Sequence, residues 1–139
     1  MKFHTGLITF SLLFFVPMLL FSQEDKATNT QGLFEKRVKQ LNKELTSEVN
    51  FKKAQAFYFK EQWDSTLVYS LRQLNENSKK TELNNLCYFF RGFSFKENED
   101  FKTAEKELLK IPKTFKFYNY VYIVLARIAL EKGDNTKAE

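Results

Sequence analysis

A set of small and aromatic residues recurs three times at fixed offsets, and no other feature constrains the fold of this 139-residue chain as much. From Gly92, the residues Phe95, Phe101, Ala104, Leu108 and Ile111 follow at offsets 3, 9, 12, 16 and 19. From Ala126, the residues Ala129, Asn135 and Ala138 follow at 3, 9 and 12. From Ala54, the residues Phe57, Trp63, Thr66 and Ser70 follow at 3, 9, 12 and 16. The interval from Gly92 to Ala126 equals that from Ala104 to Ala138. The interval from Ala54 to Gly92 equals that from Thr66 to Ala104 and is slightly longer, which predicts a short turn insertion near Ser78. Close packing of two helices accounts for such offsets. A small residue on a first helix lets a second approach, a small residue on the second faces it, and an aromatic fills the space beside the contact.

The rest of the chain agrees with helices. Phe34, Val38, Leu41 and Leu45 recur at steps of four, three and four, the apolar stripe of an amphipathic helix. Asp64, Asp100 and Asp134 sit just before or at new helical patterns, where an Asp side chain can cap free N–H groups. Asn75 to Lys79 reads as a polar turn, and Pro112 stops the helix that carries Leu108 and Ile111. No stretch alternates with period two, so the fold class is all-α: antiparallel helix–turn–helix units after an N-terminal leader.

That leader has its own logic. Lys2 and His4 precede an apolar run from Leu7 to Phe21, after which Ser22-Gln23-Glu24-Asp25 turns polar. This is the three-part pattern of a secretory signal peptide over residues 1–22, cleaved near Ser22–Gln23. The run is shorter than the ~20 apolar residues of a membrane span, though an uncleaved signal anchor in the inner membrane is the alternative. Residues 23–32 are polar and read as a flexible leader to the helix ending near residue 46. Cleavage would remove the sole histidine, His4, and leave one thiol, Cys87, read as a buried, inert side chain. His-based triads and His or Cys metal sites are therefore not expected in the mature chain, nor is a Gly-rich phosphate loop present. The expectation is a protein that is not an enzyme and carries no cofactor or metal. Its net charge of +5 comes from lysines and arginines interleaved with acids, which argues against nucleic acid as a partner.

Together, the offsets around Ala54, Gly92 and Ala126, the aromatics Phe57, Phe95, Trp63 and Phe101, and Gly133 at a turn resemble the tetratricopeptide repeat (TPR). The resemblance spans residues 47–139, as units of about 47–80, 85–118 and 119–139, the third incomplete. It implies an α-solenoid whose first helices line a concave groove. Arg91 and Lys53 depart from the pattern, standing where the family usually has Leu. By resemblance the groove positions are Glu48, Phe51, Gln55, Tyr58 and Phe59 in the first unit. In the second they are Leu86, Phe89, Phe93, Lys96 and Glu97, and in the third Tyr120, Ile123, Arg127, Leu130 and Glu131. The Lys, Asn and Arg clamp by which some members hold a peptide carboxylate is absent, its places taken by Phe51, Gln55, Phe90, Tyr120 and Val124. The groove is instead aromatic and aliphatic. It suits a helix or extended peptide, unless these side chains are covered by further C-terminal chain or a second copy. Tyr122, Leu125, Ala126 and Ala129 form an apolar face that a third second-helix, barely begun by Glu139, would have to cover.

The expected function is an exported scaffold for protein–protein interaction, periplasmic or secreted, with self-association possible and membrane contact only through the leader or a downstream span. The Lys/Asn/Phe-rich composition behind the signal is similar to that of exported proteins of Bacteroidetes-type bacteria. There such arrays often precede a membrane span and a histidine kinase or DNA-binding output. The alternative expectation is accordingly the periplasmic sensory region of a longer signalling regulator.

Overall fold

The computed structural model describes residues 26–45, 47–76 and 79–133, and these form six α-helices with no strand among them. The helices are α1 (26–44), α2 (Val49–Phe59), α3 (Trp63–Asn75), α4 (Thr81–Glu97), α5 (Phe101–Leu108) and α6 (Tyr118–Glu131). Successive helices pack on one another in antiparallel fashion: α2 on α3, α3 on α4, α4 on α5 and α5 on α6. Helices α2 and α6 also touch α4 directly, so the even-numbered helices form a layer of their own. The expected signal peptide and the cap at Asp134 lie outside the described residues.

Residues 26–32 are helical, so most of the stretch that reads as a flexible leader belongs to α1. Thr30 Oγ1 donates to the Lys26 carbonyl at 2.9 Å, and Gln31 Nε2 donates to Glu35 at 2.9 Å. Polar side chains here bond along the helix, and the buried stripe of Phe34, Val38, Leu41 and Leu45 holds its inner face.

The even-numbered helices end alike. After α2, Lys60 N donates to the Ala56 carbonyl at 3.2 Å and Gln62 N to the Phe57 carbonyl at 3.0 Å. After α4, Asn98 N donates to Ser94 at 3.0 Å and Asp100 N to Phe95 at 2.9 Å, the same two bonds one repeat later. Each turn pivots on a left-handed residue, Glu61 at φ 57° and Glu99 at φ 63°. Gly133, a further repeat along, takes the same conformation at φ 73° after α6. A left-handed residue just past a helix is the usual way to satisfy its last carbonyls. The step from Glu61 to Glu99 matches that from Ala54 to Gly92, and the step from Glu99 to Gly133 matches that from Gly92 to Ala126. The turns therefore keep the register of the small residues.

The seam between α4 and α5 shows why a small residue is needed. A Cβ on Gly92 would lie 2.5 Å from Leu108 Cγ and 3.2 Å from the Ala104 carbonyl oxygen. Ala54, Thr66 and Ala104 are all fully buried at their own seams. Arg91, beside Gly92 on α4, makes polar bonds to two neighbouring helices. Its Nε donates to Glu107 at 2.9 Å on α5, and its Nη1 reaches the Leu67 carbonyl of α3 at 3.1 Å. Burial pushes the Glu107 carboxyl up, but hydrogen bonds from Lys110 and Arg91 outweigh it and hold the group below its ordinary value.

Two local expectations need correction. Asp100 caps α5, accepting from Thr103 N at 3.1 Å, and this bond lowers its carboxyl. Asp64 caps nothing: the N-cap of α3 is Gln62, and Asp64, one residue inside the helix, instead accepts from Asn98 at 3.1 Å. Helix α5 ends at Leu108, well before Pro112, and Ile111 is buried from a turn rather than from the helix.

Candidate functional site

The groove positions expected from the sequence converge on one face of the even-numbered helices. On α2, Phe51, Gln55 and Tyr58 fall four and three positions apart and are buried, with Phe59 half-buried beside them. On α4, Leu86 and Phe89 are buried and Phe93 and Lys96 half-buried. On α6, Tyr120 is buried, Ile123 half-buried and Arg127 exposed. Glu48 is half-buried, whereas Glu97, Leu130 and Glu131 are exposed at the edge of the layer.

Ring contacts knit this face together. Tyr58 lies 5.5 Å from Phe93 and 6.3 Å from Phe89, and Phe89 lies 5.9 Å from Phe93 and 5.1 Å from Tyr120. Trp63, the first residue of α3, meets both Phe93 at 5.7 Å and Tyr58 at 6.0 Å. Burial raises both the Tyr58 and the Tyr120 phenol above the ordinary value. Lys96 joins α4 to α6 through Glu131 at 3.2 Å and also pairs with Glu97 at 3.0 Å. Burial works against its charge, but these two carboxylates raise it overall.

The face is covered, and its cover is α1. Phe34 sits 4.5 Å from Phe89, 5.1 Å from Tyr120 and 5.7 Å from Phe117. Lys39 lies over the Phe59 ring at 4.9 Å. Arg37 donates to both carboxylate oxygens of Glu82 on α4, at 3.0 and 2.9 Å. The sequence suggests further C-terminal chain or a second copy as the cover, and neither of these is the chain's own amphipathic helix. The stripe at Phe34, Val38, Leu41 and Leu45 is the signal that names it.

Away from this face, a cleft of about 610 Å³ opens between α5 and α6, lined by Leu109, Tyr118, Tyr122, Leu125, Ala126 and Ala129 among others. Tyr122 and Leu109 are 55% and 66% exposed there. Ala126, the counterpart of Gly92 in the next repeat, is only half-buried.

Among the described residues, no group of three or more His, Cys, Asp or Glu side chains is placed to hold a metal ion. Among them, too, no helix is long and apolar enough to cross a membrane. Burial pushes the Cys87 thiol up to about 12, so it is a poor nucleophile at neutral pH. No family model matches the chain, and no curated protein or solved structure matches it either.

Proposed function

We propose that this chain is an exported TPR-like scaffold that binds protein partners by receiving an amphipathic helix on its aromatic face. The observation that carries the proposal is α1 itself. An apolar stripe at steps of four, three and four is already seated on the face made by α2, α4 and α6. Shape and chemistry there suit helix-in-groove recognition, with aromatic anchors at the centre and the Glu82 carboxylate at the rim for a basic residue. The helix ends at Glu61, Glu99 and Gly133 support a stacked repeat, and the α4–α5 seam at Gly92 supports its close packing.

The test is binding in trans. In the full chain, Phe34→Asp with Leu41→Asp should loosen α1 and free the face. A fluorescein-labelled peptide of residues 26–46 should then bind saturably, by fluorescence anisotropy, while a scrambled peptide should not. If the native-sequence peptide fails to bind although the fluorescence of Trp63, the single tryptophan, reports an intact core, the face is not a helix receptor. Export is tested separately. Expressed in a Gram-negative bacterium, the chain should appear in the periplasmic fraction with a mass that begins at Gln23.

A further inference from the structure

We infer that α1 is a replaceable occupant of the aromatic face, an internal competitor for a partner helix that offers a hydrogen-bond donor where α1 offers none. The inference rests on the helix-receiving role proposed above and adds how that role is regulated.

Three observations carry it. First, Gln55 is 5% exposed, yet its Oε1 accepts no hydrogen bond from the described residues. A buried acceptor without a donor is costly, so α1 is an imperfect ligand for the face it covers. Lys39 of α1 lies over the Phe59 ring of α2, one turn along the helix from Gln55, and Val38 is the fully buried α1 residue beside Lys39. Valine has no side-chain donor. Second, the ties that hold α2 to α6 together do not involve α1. They include Gln73 on α3 accepting from Phe51 N at 3.0 Å, Arg91 joining α3 to α5, and the Gly92 seam. Third, residues 45, 47 and 48 between α1 and α2 lie outside any helix, so α1 is not a rigid extension of α2.

The favoured partner is therefore an amphipathic helix with an aromatic, then a donor such as Thr four positions on, then aliphatics three and seven positions further. A basic residue one before the donor would replace Arg37 opposite Glu82.

Displacement can be read by energy transfer in the full chain. Asn42, exposed on α1, is changed to Cys and labelled with dansyl, Cys87 being buried and resistant to labelling. Trp63 is the donor fluorophore. Unlabelled peptide 26–46 should lower the transfer saturably. The same peptide with Val38→Thr should do so at a roughly fivefold lower concentration, the size of one net hydrogen bond. In a Gln55→Met chain that preference should reverse. The inference is overturned if transfer stays constant at peptide concentrations that saturate the Phe34→Asp, Leu41→Asp chain. It is also overturned if the Val38→Thr peptide is the weaker competitor on the native chain. Absence of binding even to the loosened chain would instead refute the helix-receiving role itself.

Discussion

Replacing Gly92 by Ala should destabilise the fold, although alanine is the better helix former. The new methyl would sit 2.5 and 2.7 Å from Leu108 Cγ and Cδ2 and 3.2 Å from the Ala104 carbonyl oxygen. Leu108 is fully buried, so its side chain has no free space to turn into, and the carbonyl is backbone. Helix α5 must then move off α4 by a substantial fraction of an ångström. Overpacking of this kind costs about 1–3 kcal/mol. Removing a glycine from a helix interior returns roughly 0.5–1 kcal/mol. The net expectation is a loss of about 1 kcal/mol. Gly32 in α1 is the control, because a Cβ there meets nothing within 4 Å. Gly32→Ala should leave stability unchanged or raise it. Urea unfolding followed by Trp63 fluorescence gives both values, and at an m-value of about 1–2 kcal/mol/M the midpoint of Gly92→Ala should fall by roughly 0.5–1 M. Trimming Leu108 to Val in the Gly92→Ala background should recover part of the loss, a coupling that a double-mutant cycle isolates. The close-packing rationale for the repeat is refuted if Gly92→Ala is as stable as Gly32→Ala.

Other perturbations reach the remaining seams. Glu61→Gly and Glu99→Gly should each stabilise by about 0.5–1 kcal/mol in thermal or urea unfolding, because glycine holds a left-handed φ without the strain a side chain brings. Glu107→Gln should destabilise by about 3 kcal/mol, since it strips the buried end of Arg91 of its charged partner. The Glu107 carboxyl is held below its unfolded value near 4.5, so its contribution is present above that pH and is lost as pH falls through the lower folded value. An acid titration of native and Glu107→Gln chains should therefore begin to converge as pH falls below about 4.5 and meet only below the lower folded value. Phe34→Ala should weaken α1 docking by about 3 kcal/mol, read as faster hydrogen exchange across 26–44 with α4 and α5 still protected.

Helices and seams were legible because periodicity and small-residue offsets state local geometry directly. The pairing of Gly92 with Ala104 and Leu108 follows from spacing alone, and so does the stripe of α1. The groove positions came from the resemblance to the tetratricopeptide repeat and not from the offsets. What covers them could not be read, because an amphipathic stripe says that a helix is buried and not which surface buries it. Polar substitutes were equally opaque. Gln73 serves the Phe51 N–H in place of a cap on α2, whose Glu48 makes no side-chain cap bond. Arg91 is accommodated through Glu107 on α5 and the Leu67 carbonyl on α3, partners on other helices that its own position does not name. Asp64 missed its expected role because the chain enters α3 one residue earlier, at Trp63, leaving Gln62 as the boundary.

The most direct measurement of the central claim, that the aromatic face seats the chain's own amphipathic helix, is a set of ring-to-ring nuclear Overhauser contacts in selectively labelled protein. The expected result is cross-peaks from Phe34 to Phe89 and Tyr120, whose ring centroids are 4.5 and 5.1 Å away. The Tyr58–Phe90 pair at 4.8 Å serves as an internal reference between α2 and α4. Reference peaks present with the Phe34 peaks absent would contradict the claim and leave the face open to solvent.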